Sequence, residues 1–139
     1  MIVKIVSWKD AGNALADIRR RVFIEEQSVP ENLEWDGMDE GAVHVLALEA
    51  TRAIGCARML SGGRIGRMAV LPEWRGRGVG RAMLETLIAV SREQGLAHVI
   101  LSAQTHAIPF YAKSGFKVCS DIYDDAGIPH RDMVLTLST

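Results

Sequence analysis

The chain has 139 residues, with 16 Lys and Arg against 17 Asp and Glu, and 48% of it is hydrophobic. That suffices for one core of ordinary size and gives no reason to look for a second domain, so residues 1–139 read as one domain. Near-neutral totals speak against a general polyanion-binding role, and Trp8, Trp35 and Trp74 form no stacking stripe with basic residues, so nucleic acid is not an expected partner. Two cysteines, Cys56 and Cys119, and four scattered histidines lack metal-ligand spacing. Both cysteines read as small core residues of a reducing compartment, and no metal is expected. No apolar run is long enough to span a bilayer and no leader-like segment opens the chain, so the expected location is cytoplasmic and no membrane partner is expected.

In chain order, Met1 to Val6 alternates and is rich in Ile and Val, which predicts a strand. Asp10 to Gln27 repeats apolar residues at Leu15, Ile18, Val22 and Phe23, which predicts a helix. Ser28 to Gly41 reads as a loop with at most one helical turn. Strands follow at Ala42 to Glu49 and Arg52 to Leu60, joined by a tight turn near Ala50-Thr51, and a third at Ile65 to Leu71 after Gly62-Gly63. A helix is expected over Val79 to Gln94, capped by Gly95. Then come a buried strand at Ala97 to Ser102, a short helix at Ile108 to Ser114 and strands at Phe116 to Ser120 and Met133 to Leu137. A turn over Asp124 to Pro129 separates the last two. The order βαβββαβαββ, with few helices on a mixed sheet, is an α+β arrangement.

Charge is unevenly spread. Between Val22 and Thr51 there are eight acids and no Lys or Arg; between Arg52 and Arg92 there are eight Arg and two acids. Each single charge reads first as solvated surface. Taken together, the acidic stretch suggests attraction of a cationic acceptor.

The stretch Met68-Ala-Val-Leu-Pro-Glu-Trp-Arg-Gly-Arg-Gly-Val-Gly80 has the order strand, glycine turn, helix. Such a turn aims unpaired N–H groups at an anion, and Gly lets the anion approach the backbone. Arg75, Arg77 and Arg81 add positive charge there. A Walker loop needs Gly-Lys-Ser/Thr, but here Gly80-Arg81-Ala82 stands instead. A dinucleotide loop counted from Gly76 and Gly78 would need glycine at Arg81.

Arg75-x-x-Gly78-x-Gly80 after a strand resembles the acetyl-CoA signature of the GCN5-related N-acetyltransferases, and Met68 to Gly80 matches that family nearly throughout. Gln104-Thr-His-Ala-Ile-Pro-Phe-Tyr-Ala-Lys-Ser-Gly-Phe116 resembles the family's later motif, with Gln104 where Asn is usual. Val22 to Gln27, Trp35 to Gly37 and Asp125 to His130 look like its ElaA/YjcF-like branch. The resemblance implies a single-domain fold with a mixed central sheet flanked by helices, and acetyl-CoA as donor. It implies that Arg75, Gly76, Arg77, Gly78, Val79, Gly80 and Arg81 hold the CoA pyrophosphate, that backbone groups of Met68, Ala69 and Val70 meet the pantetheine and thioester, and that Gln104 and Phe110 complete the donor site.

Acetyl transfer to an amine needs an acid for the thiolate and a route for the amine proton. The resemblance implies Tyr111 as the acid. Glu26, at the end of the first helix, leads as base. His44 reads rather as a satisfied core residue, while His106 and His130 are rivals by their ordinary pKa. The expected reaction is direct transfer in a ternary complex to a primary amine, of a small molecule or a protein. The competing expectation is a catalytically inactive acyl-CoA sensor or interaction module, and a homodimer stays open.

Overall fold

The computed structural model describes residues 1–137. Strand β1 (Ile2–Val6) leads into α1 (Trp8–Arg19), which opens two residues earlier than the apolar repeat suggests because the Ser7 hydroxyl accepts from the Asp10 N–H at 3.1 Å. The helix does not continue regularly to Gln27 as expected. Residues Arg20–Glu26 form a π-helical turn, closed by the Gln27 N–H on the Val22 carbonyl at 3.1 Å. A one-turn α2 (Glu31–Glu34) follows, then β2 (Val43–Glu49), β3 (Arg52–Leu60), β4 (Arg64–Val70), α3 (Val79–Glu93), β5 (His98–Gln104) and α4 (Ile108–Ala112).

The C-terminal end departs most from expectation. In place of a long turn over Asp124 to Pro129, β7 (Tyr123–Asp125) and β8 (Ile128–Thr136) form a hairpin closed by Ala126 and Gly127, at φ +53° and +80°. Two positive φ values make this a two-residue turn that matches strand twist. The expected strand Phe116 to Ser120 shrinks to β6 (Lys117–Val118), and Cys119 is exposed, while Cys56 is buried as expected.

One sheet runs in the order β1-β2-β3-β4-β5-β8-β6, with β7 added on β8. Alternation sorts its two faces. Val45, Ala47, Leu101, Ala103 and Met133 pack with Met83, Leu84 and Leu87 of α3, whereas Leu46, Cys56 and Ala69 pack with Leu15, Ile18 and Val22 on the α1 side. This is the mixed sheet flanked by helices that the sequence predicts.

Two irregularities make room for a site. The parallel strands β4 and β5 pair only at Arg64–Ile65 with Ile100–Leu101, and beyond that point their ladder stops. On the other edge of β4, Gly66 and Ala69 lie opposite Arg58 and Cys56, so β4 carries one extra residue there. That bulge contains Arg67 at φ +49°, a left-handed conformation uncommon for a residue with a side chain. Among the described residues no helix is long and apolar enough to cross a membrane.

Candidate active site

The divergence of β4 and β5 opens a cleft of about 870 Å³, with the glycine loop and α4 on one side and the π-helical turn on the other. After β4 the chain makes a single 3-10 turn over Pro72–Trp74, and then Gly76 at φ +75° and Gly78 at φ +84° bend it into α3. Gly78 is the N-cap and makes no side-chain cap bond, so the first-turn N–H groups of α3 remain free for an anion. A Cβ on Gly80 would come within 3.2 Å of Phe110 Cζ and 3.8 Å of Met68 Sδ. The absent side chain is what lets α4 close against the start of α3.

Next to Phe110, and edge-on to it at 5.0 Å between ring centroids, stands Tyr111. Its hydroxyl points to Met68 Sδ at 4.0 Å. Burial pushes the phenol up to about 12, because the phenolate would lose its water, so it holds its proton throughout the neutral range.

The cleft wall includes Met68, Ala69, Val70, Arg75, Gly76, Gly78, Val79, Gly80, Arg81, Gln104, Phe110, Tyr111 and Glu26. Arg77 is absent from it; its guanidinium lies 5.0 Å over the Trp74 ring. Arg75 donates from Nε to the Val70 carbonyl at 2.9 Å and from both Nη atoms to the two Glu26 carboxylate oxygens, at 2.7 Å each. That bidentate pair lowers the Glu26 pKa, chiefly through the Arg75 hydrogen bonds. Gln104, standing where Asn was anticipated, donates to the Gln27 side chain at 3.0 Å and so ties the end of β5 to the π-helical turn.

The part of the cleft where the sequence suggests an acceptor differs from expectation. Glu34, Asp36 and Asp39 do not line the cleft as free carboxylates but are bound by arginines. Arg19, 1% exposed, donates to Glu34 at 2.8 Å and to Asp39 at 2.6 Å. Arg58 donates to Asp39 at 2.9 Å and grips Asp36. Arg67, on the bulge, places Nε 2.9 Å from Glu34 and donates to the Glu34 carbonyl at 3.1 Å. Burial works to raise the Asp39 pKa, but Arg19 and Arg58 overcome it and the net shift is downward. Three acids against three arginines leave no net charge to draw in a cation. Glu31 is likewise held by Arg20, at 2.9 Å. Glu31, Glu34, Asp36 and Asp39 of the acidic run therefore serve first as wall.

Trp35 belongs to that wall too, with the guanidinium groups of Arg19 at 5.1 Å and Arg20 at 5.6 Å from its ring centroid, and does not line the cleft. His44 is buried and donates from Nε2 to the Asp39 carbonyl at 2.8 Å; its pKa is lowered, first by burial, so it is the satisfied core histidine expected. His106 and His130 both line the cleft. Phe23, Gln27, Arg64 and Ser102 line it as well, and sequence reasoning missed them. They come from a π turn, from strand residues on the face away from α3 and from a long-range junction, none of which leaves a local signature.

The cleft thus joins a glycine-turned helix start, a bulged strand and a protonated phenol. Comparison places this arrangement in a known group. Residues 8–137 match the family model described as "Acetyltransferase (GNAT) domain". The chain is 36% identical over 121 residues to the uncharacterized N-acetyltransferase YjcF of Bacillus subtilis (strain 168), covering 84% of this chain and 86% of that one. It superposes on the crystal structure of Escherichia coli ElaA with a TM-score of 0.87 at 27% identity, covering 96% of this chain and 99% of that one. An acyl-CoA N-acyltransferase of Pseudomonas aeruginosa gives a TM-score of 0.85, also at 27% identity, with coverage of 96% and 99%. The chain belongs to the GNAT acetyltransferase family, on the branch that holds YjcF and ElaA, and is an acyltransferase.

Proposed function

We propose that this acyltransferase takes acetyl from acetyl-CoA and passes it directly to a primary amine while both substrates are bound. The observation that carries this reading is one continuous cleft: it runs from the glycine cradle, along β4 with its bulge, to the buried phenol of Tyr111, and opens between β4 and β5. The free N–H groups ahead of α3, with Gly76, Gly78 and Gly80, suit the CoA pyrophosphate, with Val79 and Arg81 beside them. The edge of β4 that faces β5, which has no ladder partner from Met68 to Val70, suits the pantetheine amides and the thioester carbonyl, and Phe110 closes the site. The bound thioester supplies an activated acetyl group.

In this reading the Tyr111 phenol gives its proton to the departing sulfur. Glu26 and Arg75 hold each other, so Glu26 ties the π-helical turn to the phosphate loop in its charged form. Such a carboxylate is a weak proton acceptor.

Release of CoA thiol over a panel of small amines and lysine or N-terminal peptides is the direct test. Tyr111→Phe is expected to lower kcat by about 10²-fold while acetyl-CoA binds as before, since the ring keeps its packing. Because burial holds the phenol near 12, a loss of rate between pH 8 and 10 is not expected from this group. Tight acetyl-CoA binding with no turnover of any amine would instead favour a sensor or interaction module.

A further inference from the structure

The half of the sheet face that α1 leaves bare is polar. Leu101, Ala103 and Met133 turn toward α3, so alternation sends Ser102 and Gln104 of β5, and His130 and Asp132 of β8, to the opposite face. They pair across the ladder, Ser102 with Asp132 and Gln104 with His130. Tyr123 of β7 lies opposite His130 and stacks on it, with ring centroids 6.1 Å apart and an angle of 21°. The Tyr123 hydroxyl donates to Asp132 at 2.5 Å and accepts from Ser102. Its ring is thereby fixed, and so is the plane of His130.

His130 is also fixed in its proton. Nδ1 sits 2.7 Å from the Ile128 carbonyl, which can only accept, so Nδ1 carries the hydrogen. In the neutral ring Nε2 then carries the lone pair. It has no hydrogen-bond partner among the described residues, and His130, though 8% exposed, is one of the residues that line the cleft. Tyr123 stacks on the ring and Asp132 is two residues along β8, with Arg64 of β4 3.9 Å from Asp132; the other titratable groups that line the same cleft are Asp125 of the hairpin, His106 after β5, Tyr111, and Glu26, neutralised by Arg75, from the π turn.

Resting on the transferase reading above, we infer that His130 Nε2, and not Glu26, is the base that takes the proton of the acceptor ammonium. The freed nitrogen lone pair forms the C–N bond to the thioester carbon, and the C–S bond breaks as the adduct collapses. Two protons leave nitrogen. The first passes through His130 to solvent; the second, shed on collapse, replaces the one Tyr111 gives to sulfur.

The test is the pH profile of kcat/KM for an amine that the wild type acetylates. His130→Asn keeps a side-chain donor near the Ile128 carbonyl and removes Nε2; His130→Gln is the second variant. Acetyl-CoA affinity and the melting transition check that both fold. Both variants are expected to lose about 10²-fold at pH 7 and to regain rate only as rising pH frees the amine, so the acid limb moves up to the amine's own titration. Glu26→Gln is expected to keep that limb. Wild-type turnover with an unchanged limb in both His130 variants, or a limb displaced only in Glu26→Gln, overturns the inference and leaves the transferase reading standing. Absence of wild-type turnover with every amine, at intact acetyl-CoA binding, overturns both.

Discussion

The two halves of the cleft are made of different material. In the proposed reading the ligand-facing groups on the donor side are backbone: N–H groups ahead of α3, exposed by Gly76 and Gly78, and the edge of β4 that faces β5. On the acceptor side they are side chains held by other side chains, with Arg19, Arg58 and Arg67 threaded through Glu34, Asp36 and Asp39, and His130 set by Tyr123 and Ile128. A backbone site depends on a short contiguous run of small residues and tolerates little change there. A side-chain site can be respecified, but its frame must be rigid, and here the frame is charged and buried.

The contrast breaks most visibly at Arg19. Arg19→Met removes one guanidinium from beneath two acids, leaving Glu34 only Arg67 and Asp39 only Arg58. Removing one partner of a buried ion cluster costs about 3–5 kcal/mol, which lowers the urea midpoint at an unchanged slope. The folded fraction should bind acetyl-CoA as before, because no donor-side group touches Arg19. A loss below about 1 kcal/mol, as for a surface pair, would mean that the cluster is not the frame.

On the donor side the corresponding change is Gly78→Val. Nothing lies within 4 Å of a Cβ at this position, so the effect comes from φ +84° alone. A β-branched residue in that conformation is strained by about 1–2 kcal/mol and will relieve the strain by turning the loop. Acetyl-CoA affinity should fall by about tenfold or more with a smaller change in stability than Arg19→Met gives. Titration calorimetry of both variants distinguishes the halves: one loses stability and keeps the ligand, the other the reverse.

This difference in material also decided what could be read in advance. The glycine loop is local, so the spacing of Gly76, Gly78 and Gly80 announced it, and β2, β3 and β5 lie close to where strands were expected. The bulge is invisible in sequence because its left-handed residue is Arg67, not a glycine. The π turn at Arg20–Glu26 differs from an α-helix by one residue in its ladder, which an apolar repeat at Ile18, Val22 and Phe23 does not resolve. Pro129 suggested a loop, yet it sits in β8 opposite Asp124 on the short β7. The charged wall joins residues 15 to 33 positions apart in sequence, and each of its members, taken alone, reads as surface.

The smallest expected effect is the sharpest test of the backbone claim. By resemblance Arg77 belongs to the phosphate loop, but its guanidinium lies over Trp74 and outside the cleft wall. Arg75 is already committed to Glu26 and Val70, and Arg81 pairs with Glu85 at 3.0 Å. If anion binding rests on N–H groups and the helix start, Arg77 adds only a screened charge at the rim, where the Debye length at physiological salt is about 8 Å. Arg77→Ala should then weaken acetyl-CoA by no more than about threefold, under 1 kcal/mol, with the difference shrinking as salt rises. A tenfold loss that persists in high salt would put a side chain on the donor, and the two halves of the cleft would no longer differ in kind.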